Sequence, residues 1–544
     1  MNDSTGNHVP LLPDVAVDGG IRVAFGSCNR QSLPQTFWEV IEKQHPQSFL
    51  WTGDAVYADV KGTDALDQAL RNLSENPYYL TFVQGLEKRK TSIQRTQDCS
   101  AGMCSDYETV YGIYDDHDLG VNDGGRDIPD RAARRELFQR FLAGREDTSV
   151  CTNMTNATES ESESELKRGR ESYRTFALGA ADGSHSVRVV ILDTRYHRDP
   201  HAVSSVGSST HWIYPFLPLS AIFAAAVRGI SASFFDIYNL GTGRVDDHLG
   251  GIFTGDILGD EQWRWLNNTL AEPSAADFTV IVSSVQVFTS NPIVESWGHF
   301  PRAKTRLFNL LQQHRPPGLV FLSGDVHHAE LSRATQQQLR LAHEGAPFVT
   351  EGFEREIVEI TSSGLTHTCS DSLLTRYICP LMLKYAYNYG PVDRNSTDAS
   401  SGHSGHRLTP DSFHIGRNFG ILSTRHCNDT DLNAGGEGRG AFCLDVEVFS
   451  IETNEPVLRH TVVRDWRRLG ETEMLKVGLS SRDSVSSSRS AVTGNLGSHV
   501  IYTDFPLWST QQLQVLCVLG TSVVLLVCVS LIHVWRRSKA VCTV

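Results

Sequence analysis

Three polar loops that contain aspartate or histidine constrain what this chain can fold into. The apolar run 49–51 leads into the sequence GDAVYAD at 53–59, and the apolar run 319–322 leads into SGDVHH at 323–328. The stretch YDDHD at 114–118 has the same character. In open α/β sheets, ligands bind where strands release side chains at their carboxyl ends. The three loops therefore predict one shared ligand site.

The side chains in these loops are of kinds that bind metal ions. Asp54 is followed three residues later by Tyr57, and a carboxylate with a phenol can bind one hard, high-valent cation. Asp325 and His327 are two residues apart on a loop after a strand, so both can point to the same side. Each loop alone is more often a turn or a helix cap. Three of them in one chain favour a metal centre.

The hydrophobic pattern predicts an α/β fold, a layered α/β sandwich. Short apolar runs that end in polar or glycine-bearing loops are typical of buried strands, and apolar residues every three or four positions are typical of helices. The predicted strands are 21–25, 48–51, 187–192, 278–283, 318–322 and 357–360, and the predicted helices are 34–43, 131–142 and 304–312. Residues 440–463 predict strands of a closing sheet. In a parallel sheet, Cys28 after the first strand and Asp54 after the second would be close enough to share one ion.

Size and charge limit the class of protein. A chain of 544 residues, of which 40% are hydrophobic, can form one large α/β domain with appendages. The formal net charge is −14. A protein that binds the nucleic-acid backbone would need a basic patch, so we expect no nucleic-acid-binding surface.

An ordered set of short motifs resembles one enzyme family. The motifs are GSC at 26–28, GDxxY at 53–57, DDHD at 115–118, LDTR at 192–195, LGDxQxxWL at 258–266, SGDVH at 323–327 and NFG at 418–420. Together they resemble the PhoD-type alkaline phosphatase/phosphodiesterase family, a branch of the calcineurin-like metallophosphoesterases. The resemblance covers residues 20–465, which we expect to form one PhoD-like metallophosphoesterase domain.

Three departures from the wider superfamily favour the PhoD branch. Cys28 replaces the usual Asp-x-His, Asp116 stands where asparagine is commoner, and Asp325 replaces the first histidine of Gly-His-x-His. A purple-acid-type phosphatase is the alternative among enzymes, but it predicts a histidine-rich third metal loop that is not found in this sequence. A catalytically inactive membrane-anchored surface receptor or adhesion protein that retains the fold is the alternative outside enzymes.

The resemblance implies a metal cluster that hydrolyses phosphate mono- or diesters by in-line attack of a metal-bound hydroxide. Phenolate is a strong ligand for ferric iron, so Tyr57 indicates Fe³⁺, with Cys28 and His327 completing its ligands and Asp54 bridging. Asp116 and Asp325 supply the oxygen ligands for Ca²⁺-like ions, and other divalent metals would also fit. For Cys28, a buried inert thiol or a disulfide is the alternative.

The resemblance also implies roles for residues that bind no metal. His117 matches the position whose imidazole stabilises the transition state or protonates the leaving oxygen. Asn122 and Arg195 are candidates for contacts with the substrate phosphate, although Arg195 could instead anchor a strand end. His328 could orient a metal ligand.

The C-terminal region predicts a membrane anchor. Residues 515–534 are almost wholly apolar, and twenty residues at about 1.5 Å each span a hydrocarbon core of about 30 Å. We predict a transmembrane helix at 515–535, a serine-rich stalk at 466–510 and a short basic cytoplasmic tail at 536–544. Two insertions are expected in the domain: an acidic disordered loop near 146–172, and residues 212–239, a buried helix or a membrane-facing element.

Cysteines and glycosylation sequons bear on the side of the membrane. The N-terminus shows no apolar signal-peptide core, so either the start is truncated or the chain is tail-anchored with a cytosolic domain. Pairs suited to local disulfides, and N-x-[ST] sites, favour an extracellular or lumenal domain. These pairs are Cys99/Cys104, Cys369/Cys379 and Cys427/Cys443, and the sequons include Asn153, Asn156, Asn395 and Asn428.

Overall fold

The computed structural model describes most of the predicted domain. The described residues are 20–59, 62–96, 108–144, 172–180, 183–201, 255–272, 274, 276–289, 291, 294–335, 356–371, 375–385, 406–428 and 441–464. Their strands are β1 (Arg22–Gly26), β2 (Ser48–Thr52), β3 (Val110–Ile113), β4 (Arg174–Gly179), β5 (Ser186–Ile191), β6 (Phe278–Val282), β7 (Leu319–Ser323), β8 (Ala329–Thr335), β9 (Glu356–Ser362), β10 (Phe413–His414), β11 (Asn418–His426), β12 (Phe442–Ser450) and β13 (Pro456–Arg464). Their α-helices are α1 (Phe37–Glu42), α2 (Gly62–Ser74), α3 (Pro77–Thr96), α4 (Asp116–Leu119), α5 (Arg131–Leu142), α6 (Gly259–Ala271), α7 (Pro301–His314) and α8 (Thr375–Tyr385).

The strands form two mixed sheets. The first has the order β13-β12-β11-β1-β2-β3, in which β1, β2 and β3 are parallel and β11 to β13 are antiparallel. The second has the order β10-β8-β9-β7-β6-β5-β4, in which β5, β6, β7 and β9 are parallel. Parallel neighbours end at the same sheet edge, so each sheet gathers several strand exits in one place.

The core explains why the central strands read as unbroken apolar runs. One apolar cluster contains residues of both sheets, among them Leu50 and Val280, so the sheets share a core. The next residue along β6, Ile281, packs instead with Leu266 of α6 and Leu307 of α7. Successive side chains of a strand point to opposite faces, and both faces of β6 are covered. The result is a layered α/β arrangement with helices outside the two sheets.

The predicted elements are confirmed where the structure describes them. All six predicted strands and all three predicted helices are present within a few residues, and 440–463 forms the antiparallel pair β12 and β13. The disulfides Cys369–Cys379 and Cys427–Cys443 are formed, and Cys28 is a buried free thiol.

Several predictions fall outside the described residues. These are the transmembrane helix 515–535, the stalk 466–510, the tail 536–544, nearly all of the insertions 146–172 and 212–239, the pair Cys99/Cys104 and the sequons at Asn153, Asn156 and Asn395. Within the part that the structure does describe, none of the helices has the length and apolar character needed to cross a membrane.

Candidate metal centre and active site

The predicted metal ligands meet at the carboxyl ends of the parallel strands. Cys28 follows β1 and Asp54 follows β2, and these two strands pair in parallel with Gly26 opposite Trp51. The Cys28 Sγ and Asp54 Oδ2 atoms lie 3.5 Å apart. The prediction that these two strand exits are close enough to share an ion is therefore confirmed for their geometry. Asp116 follows β3, and Asp325 follows β7 of the other sheet.

Unusual backbone angles turn these side chains over the sheet edge. Left-handed φ values of 60°, 47°, 74° and 57° occur at Cys28, Asp54, Asp325 and His327. Residues with a Cβ rarely adopt this conformation, which costs on the order of 1–3 kcal/mol each and clusters at functional sites. Gly53 is needed for close approach, because a Cβ there would lie 2.7 Å from the Cβ of Asp115.

The first group of candidate ligands combines sulfur, oxygen and nitrogen donors. One ligand atom each of Cys28, Asp54 and His327 lies within 4.8 Å of the other two. The Tyr57 hydroxyl oxygen lies 3.3 Å from Asp54 Oδ2 and 3.2 Å from His327 Nε2. The structure thus brings together all four residues for which iron binding is predicted.

The second group is built from oxygen donors alone. Ligand atoms of Asp115, Asp116 and Asp325 lie within 4.8 Å of one another, and Asp54, Asp116 and His117 form an overlapping group. Asp54 is therefore shared by two groups, one with Cys28 and His327 and one with Asp116 and His117, as a bridging carboxylate would be. The fully buried Asp115 was not predicted as a ligand, and no described residue donates a hydrogen bond to its Oδ2. An orphaned buried carboxylate oxygen fits a bound cation.

Both groups contain buried acidic side chains whose ionised forms a cation would stabilise. Burial raises the pKa of Asp54 and Asp325 well above the usual range, and neighbouring carboxylates add to the rise. Burial likewise raises the pKa of the Cys28 thiol to about 12 and that of Tyr57 well above 10. Burial lowers the pKa of His327, which keeps its imidazole neutral and able to bind metal. A cation would displace the protons that the acidic groups otherwise hold.

His117 lies against carboxylates that favour its protonated form. Its Nδ1 lies 2.7 Å from Asp59 Oδ1, and its ring stacks on that of Tyr57 at 4.1 Å. Burial alone would lower the pKa of His117, but the charges of Asp116, Asp54 and Asp59 outweigh burial and raise it to about 10. A protonated imidazole held by a carboxylate can donate a proton to a leaving group.

Arg195 lies beneath the acidic group. It is fully buried, its Nε donates to Asp115, and its Nη1 donates to Glu295 at 2.7 Å. Its Nη2 is 3.9 Å from Asp116 Oδ1 and 3.7 Å from Asp325 Oδ1. These contacts favour the alternative role of an anchor at a strand end. Phosphate contact by Arg195 stays a prediction.

Two further predicted residues lie to the side of the cluster. Asn122 is exposed, and its Nδ2 donates to Asp123 Oδ1 at 2.9 Å. Its contact with substrate phosphate stays a prediction. His328 is buried with its Nε2 3.3 Å from Glu330 Oε2 and its Nδ1 2.9 Å from the carbonyl of Val326. His328 thus contacts the next strand and its own loop.

The loop after β9 forms a wall of the site that sequence reasoning missed. Ser363 Oγ lies 3.0 Å from Cys28 Sγ and accepts from the N–H of His327 at 2.8 Å. His367 Nε2 lies 3.1 Å from the Tyr57 hydroxyl. Cys369, whose N–H donates to the carbonyl of His327, ties the loop to α8 by its disulfide. The signal was available, since this loop also follows an apolar strand and contains Gly and His.

The sequence matches one protein family, and the structure is similar to solved structures. The family described as PhoD-like phosphatase matches residues 23–375. No curated protein sequence matches the chain significantly. The structure of PhoD is 14% identical with a TM-score of 0.40, covering 85% of this chain and 78% of that chain.

Two more solved structures are similar at lower identity. Purple acid phosphatase PPD1, isolated from yellow lupin (Lupinus luteus) seeds, is 10% identical with a TM-score of 0.39, covering 88% of this chain and 57% of that chain. GAP50, the anchor in the inner membrane complex of Plasmodium, is 10% identical with a TM-score of 0.31, covering 81% of this chain and 88% of that chain. At TM-scores below 0.5, we draw nothing from these likenesses.

Proposed function

Because the chain belongs to the PhoD-like phosphatase family, and is therefore a hydrolase that acts on phosphate esters, we propose that it hydrolyses mono- or diesters at the cluster around Asp54. The observation that carries this proposal is that Asp54 belongs to two groups of candidate ligands, one with Cys28 and His327 and one with Asp116 and His117. A single carboxylate has two oxygens and can hold two cations at a fixed separation.

The donor chemistry supports Fe³⁺ with Ca²⁺. A thiolate, a phenolate, an imidazole and a carboxylate are the donors of Cys28, Tyr57, His327 and Asp54, and this mixed set fits ferric iron. The all-oxygen group that includes Asp116 and Asp325 fits Ca²⁺ or another hard divalent ion. When bound, such cations would neutralise phosphate charge and acidify a water molecule.

The chain's own residues supply proton transfer and positioning. His117, whose Nδ1 lies 2.7 Å from Asp59 Oδ1, is placed to donate its proton to the leaving oxygen of the ester. Asp59 fixes the orientation of that imidazole through Nδ1. Arg195 holds Asp115 in place from below, so the carboxylates are positioned before any substrate arrives.

Elemental analysis, activity and colour together test this function. The purified chain should contain iron and calcium, hydrolyse an aryl phosphate monoester or diester, and absorb visible light, because a tyrosinate bound to Fe³⁺ gives a charge-transfer band. Tyr57→Phe keeps the ring and should lose the band. Tyr377→Phe, on an exposed side chain of α8, is the matched control and should keep it.

The possible outcomes separate the two parts of the proposal. A colourless, iron-free and fully active enzyme would overturn the ferric centre but leave the phosphoesterase on divalent metals. A protein that binds its full set of metals and hydrolyses neither aryl substrate would count against the assigned activity and favour an inactive surface protein.

We further propose that a helix at 515–535 anchors the chain and that the catalytic domain is extracellular or lumenal. The two disulfides in the described part are typical of an oxidising compartment, which supports this side of the membrane. The exposed Asn428 begins an N-x-T sequon. In native cells, glycosidase treatment should increase the mobility of the protein. No shift, with all thiols reactive, would instead favour a cytosolic, tail-anchored enzyme.

A further inference from the structure

Arg30 lies beside the cluster on its solvent-exposed side. It follows Cys28 on the loop that leaves β1, and its backbone N–H donates to Thr366 Oγ1 at 2.8 Å. The N–H of Asn29 donates to the carbonyl of Asp54 at 2.9 Å, which fixes the same loop. The side chain of Arg30 is exposed, and its guanidinium carbon lies 5.0 Å from the centre of the Tyr57 ring.

The guanidinium of Arg30 differs from the other arginines at the site. Arg195 and Arg198 are buried, and both pair with the Glu295 carboxylate. In contrast, no carboxylate of the described residues pairs with Arg30, whose guanidinium lies over the face of Tyr57. The guanidinium donors of Arg30 therefore remain available to a ligand on the exposed side, whereas Arg195 and Arg198 are each paired with a buried carboxylate.

The charge of Arg30 extends to the candidate ligands. Burial is the larger cause of the lowered pKa of His327 and His367, and the charge of Arg30 adds to it. With His117 stacked on the same Tyr57 ring, two cationic side chains flank that residue. An anion that approaches a protein with a net charge of −14 thus meets local positive charge at this place.

We propose that Arg30 binds a non-bridging oxygen of the substrate phosphate and makes the enzyme prefer phosphate monoesters over diesters. This inference rests on the proposed function and names its substrate class. A monoester near neutral pH carries nearly two negative charges on three non-bridging oxygens. A diester carries one charge on two such oxygens. A guanidinium, which donates several hydrogen bonds in a planar fork, gains more from the monoester.

Substitution of Arg30 tests the proposal through two substrates and one product. Arg30→Gln should raise KM for an aryl phosphate monoester by about tenfold to a hundredfold, the scale of one charge-assisted hydrogen bond. It should raise KM for the matching aryl diester by less than about threefold and leave kcat and metal content near wild type. In calorimetry, binding of inorganic phosphate should weaken by the same factor as KM for the monoester rises. Arg30→Lys should restore part of the loss.

A control and a non-catalytic readout keep the result interpretable. Arg459→Gln removes an exposed arginine of β13 that pairs with Glu447, and it should change neither KM. Equal changes for monoester and diester, unchanged phosphate binding, or loss of metal in Arg30→Gln would each overturn the proposal. If the metal-loaded chain hydrolyses neither ester, the proposed function fails, yet calorimetry with inorganic phosphate still decides whether Arg30 binds phosphate.

Discussion

Two buried charged clusters on the same sheet differ in how their charges are balanced. Asp325, on the loop between β7 and β8, faces Asp115 and Asp116. Glu330, in the first residues of β8, faces His406 and Arg407 instead, and all three are buried. The first cluster holds more carboxylates than Arg195, the buried cation beside them, can balance, whereas the second pairs one carboxylate with two basic side chains.

The pKa values follow from this difference. Burial alone would raise the pKa of Glu330, but His406 and Arg407 outweigh burial and hold it well below 4.5. For Asp325, burial and the charges of Asp115 and Asp116 act in the same direction and outweigh the opposing charge of Arg195, so the pKa is well above 3.8. A buried cluster whose positive and negative side chains neutralise each other acts as a structural element. A buried cluster with excess negative charge is a candidate cation-binding site.

Removal of one carboxylate from the unbalanced cluster should have the largest effect. Asp54→Asn should abolish phosphoesterase activity and reduce the metal content, because Asp54 lies among candidate ligands both with Cys28 and His327 and with Asp116. The metal-free variant should be at least as stable as metal-free wild type, since a buried acid with a raised pKa is replaced by a neutral amide. Activity, elemental analysis and denaturant unfolding measure the three quantities.

Near-normal turnover by a folded Asp54→Asn protein would contradict the assignment of the site. A large loss of stability in the metal-free variant would show instead that Asp54 is a structural group, as Glu330 is. The comparison of the two clusters would then have no functional meaning.

The balanced cluster should respond in the opposite way. Glu330→Gln leaves the buried Arg407 and His406 without a full counter-charge and should lower the free energy of unfolding by about 3–5 kcal/mol. Activity per folded molecule should stay close to wild type. Glu452→Gln, at an exposed pair with Arg417, is the control and should cost about 1 kcal/mol or less. A Glu330→Gln protein of unchanged stability and reduced metal content would reverse the two assignments.

The sequence predicted the first cluster better than the second for a physical reason. Cys28, Asp54 and Asp325 each follow an apolar strand, and the hydrophobic period locates strand ends directly. The parallel order of neighbouring strands then places these exits at one edge. The family resemblance added Asp116 and His117, and both lie beside Asp54 in the structure.

Contacts between loops were beyond the reach of periodicity. Glu330 and its partners His406 and Arg407 are far apart in the chain, and nothing local in the sequence indicates that they meet. The same holds for Asp59 beside His117 and for His367 beside Tyr57. Such pairs depend on how loops cross the sheet edge, which a residue pattern does not determine.

The smallest expected effect lies in the pH dependence of metal stabilisation. In the metal-free chain, burial first, with Asp115 and Glu295, raises the pKa of Asp116 to about 6 from 3.8. A carboxyl with a raised folded-state pKa contributes stability that is present below its unfolded value and is lost as pH rises through about 6. Cations bind the ionised form, so metal binding strengthens over the same interval. The Tm difference between metal-loaded and chelated protein should grow between about pH 5 and about pH 7.

Glu330 should show no such slope, because its shift has the opposite sign. Its depressed pKa contributes stability that is present above the unfolded value of 4.5 and is lost only as pH falls through the lower folded value. The Glu330 carboxylate itself should therefore give no slope above about pH 5, and the stability cost of Glu330→Gln should shrink at more acidic pH. Melting curves of loaded and chelated wild type, and of the loaded variant, give both quantities. The opposite result would be a metal-induced Tm difference that does not change with pH, together with a Glu330→Gln stability cost that does. It would mean that the titrating protons belong to the Glu330 cluster and that the carboxylates around Asp116 are already ionised in the metal-free chain.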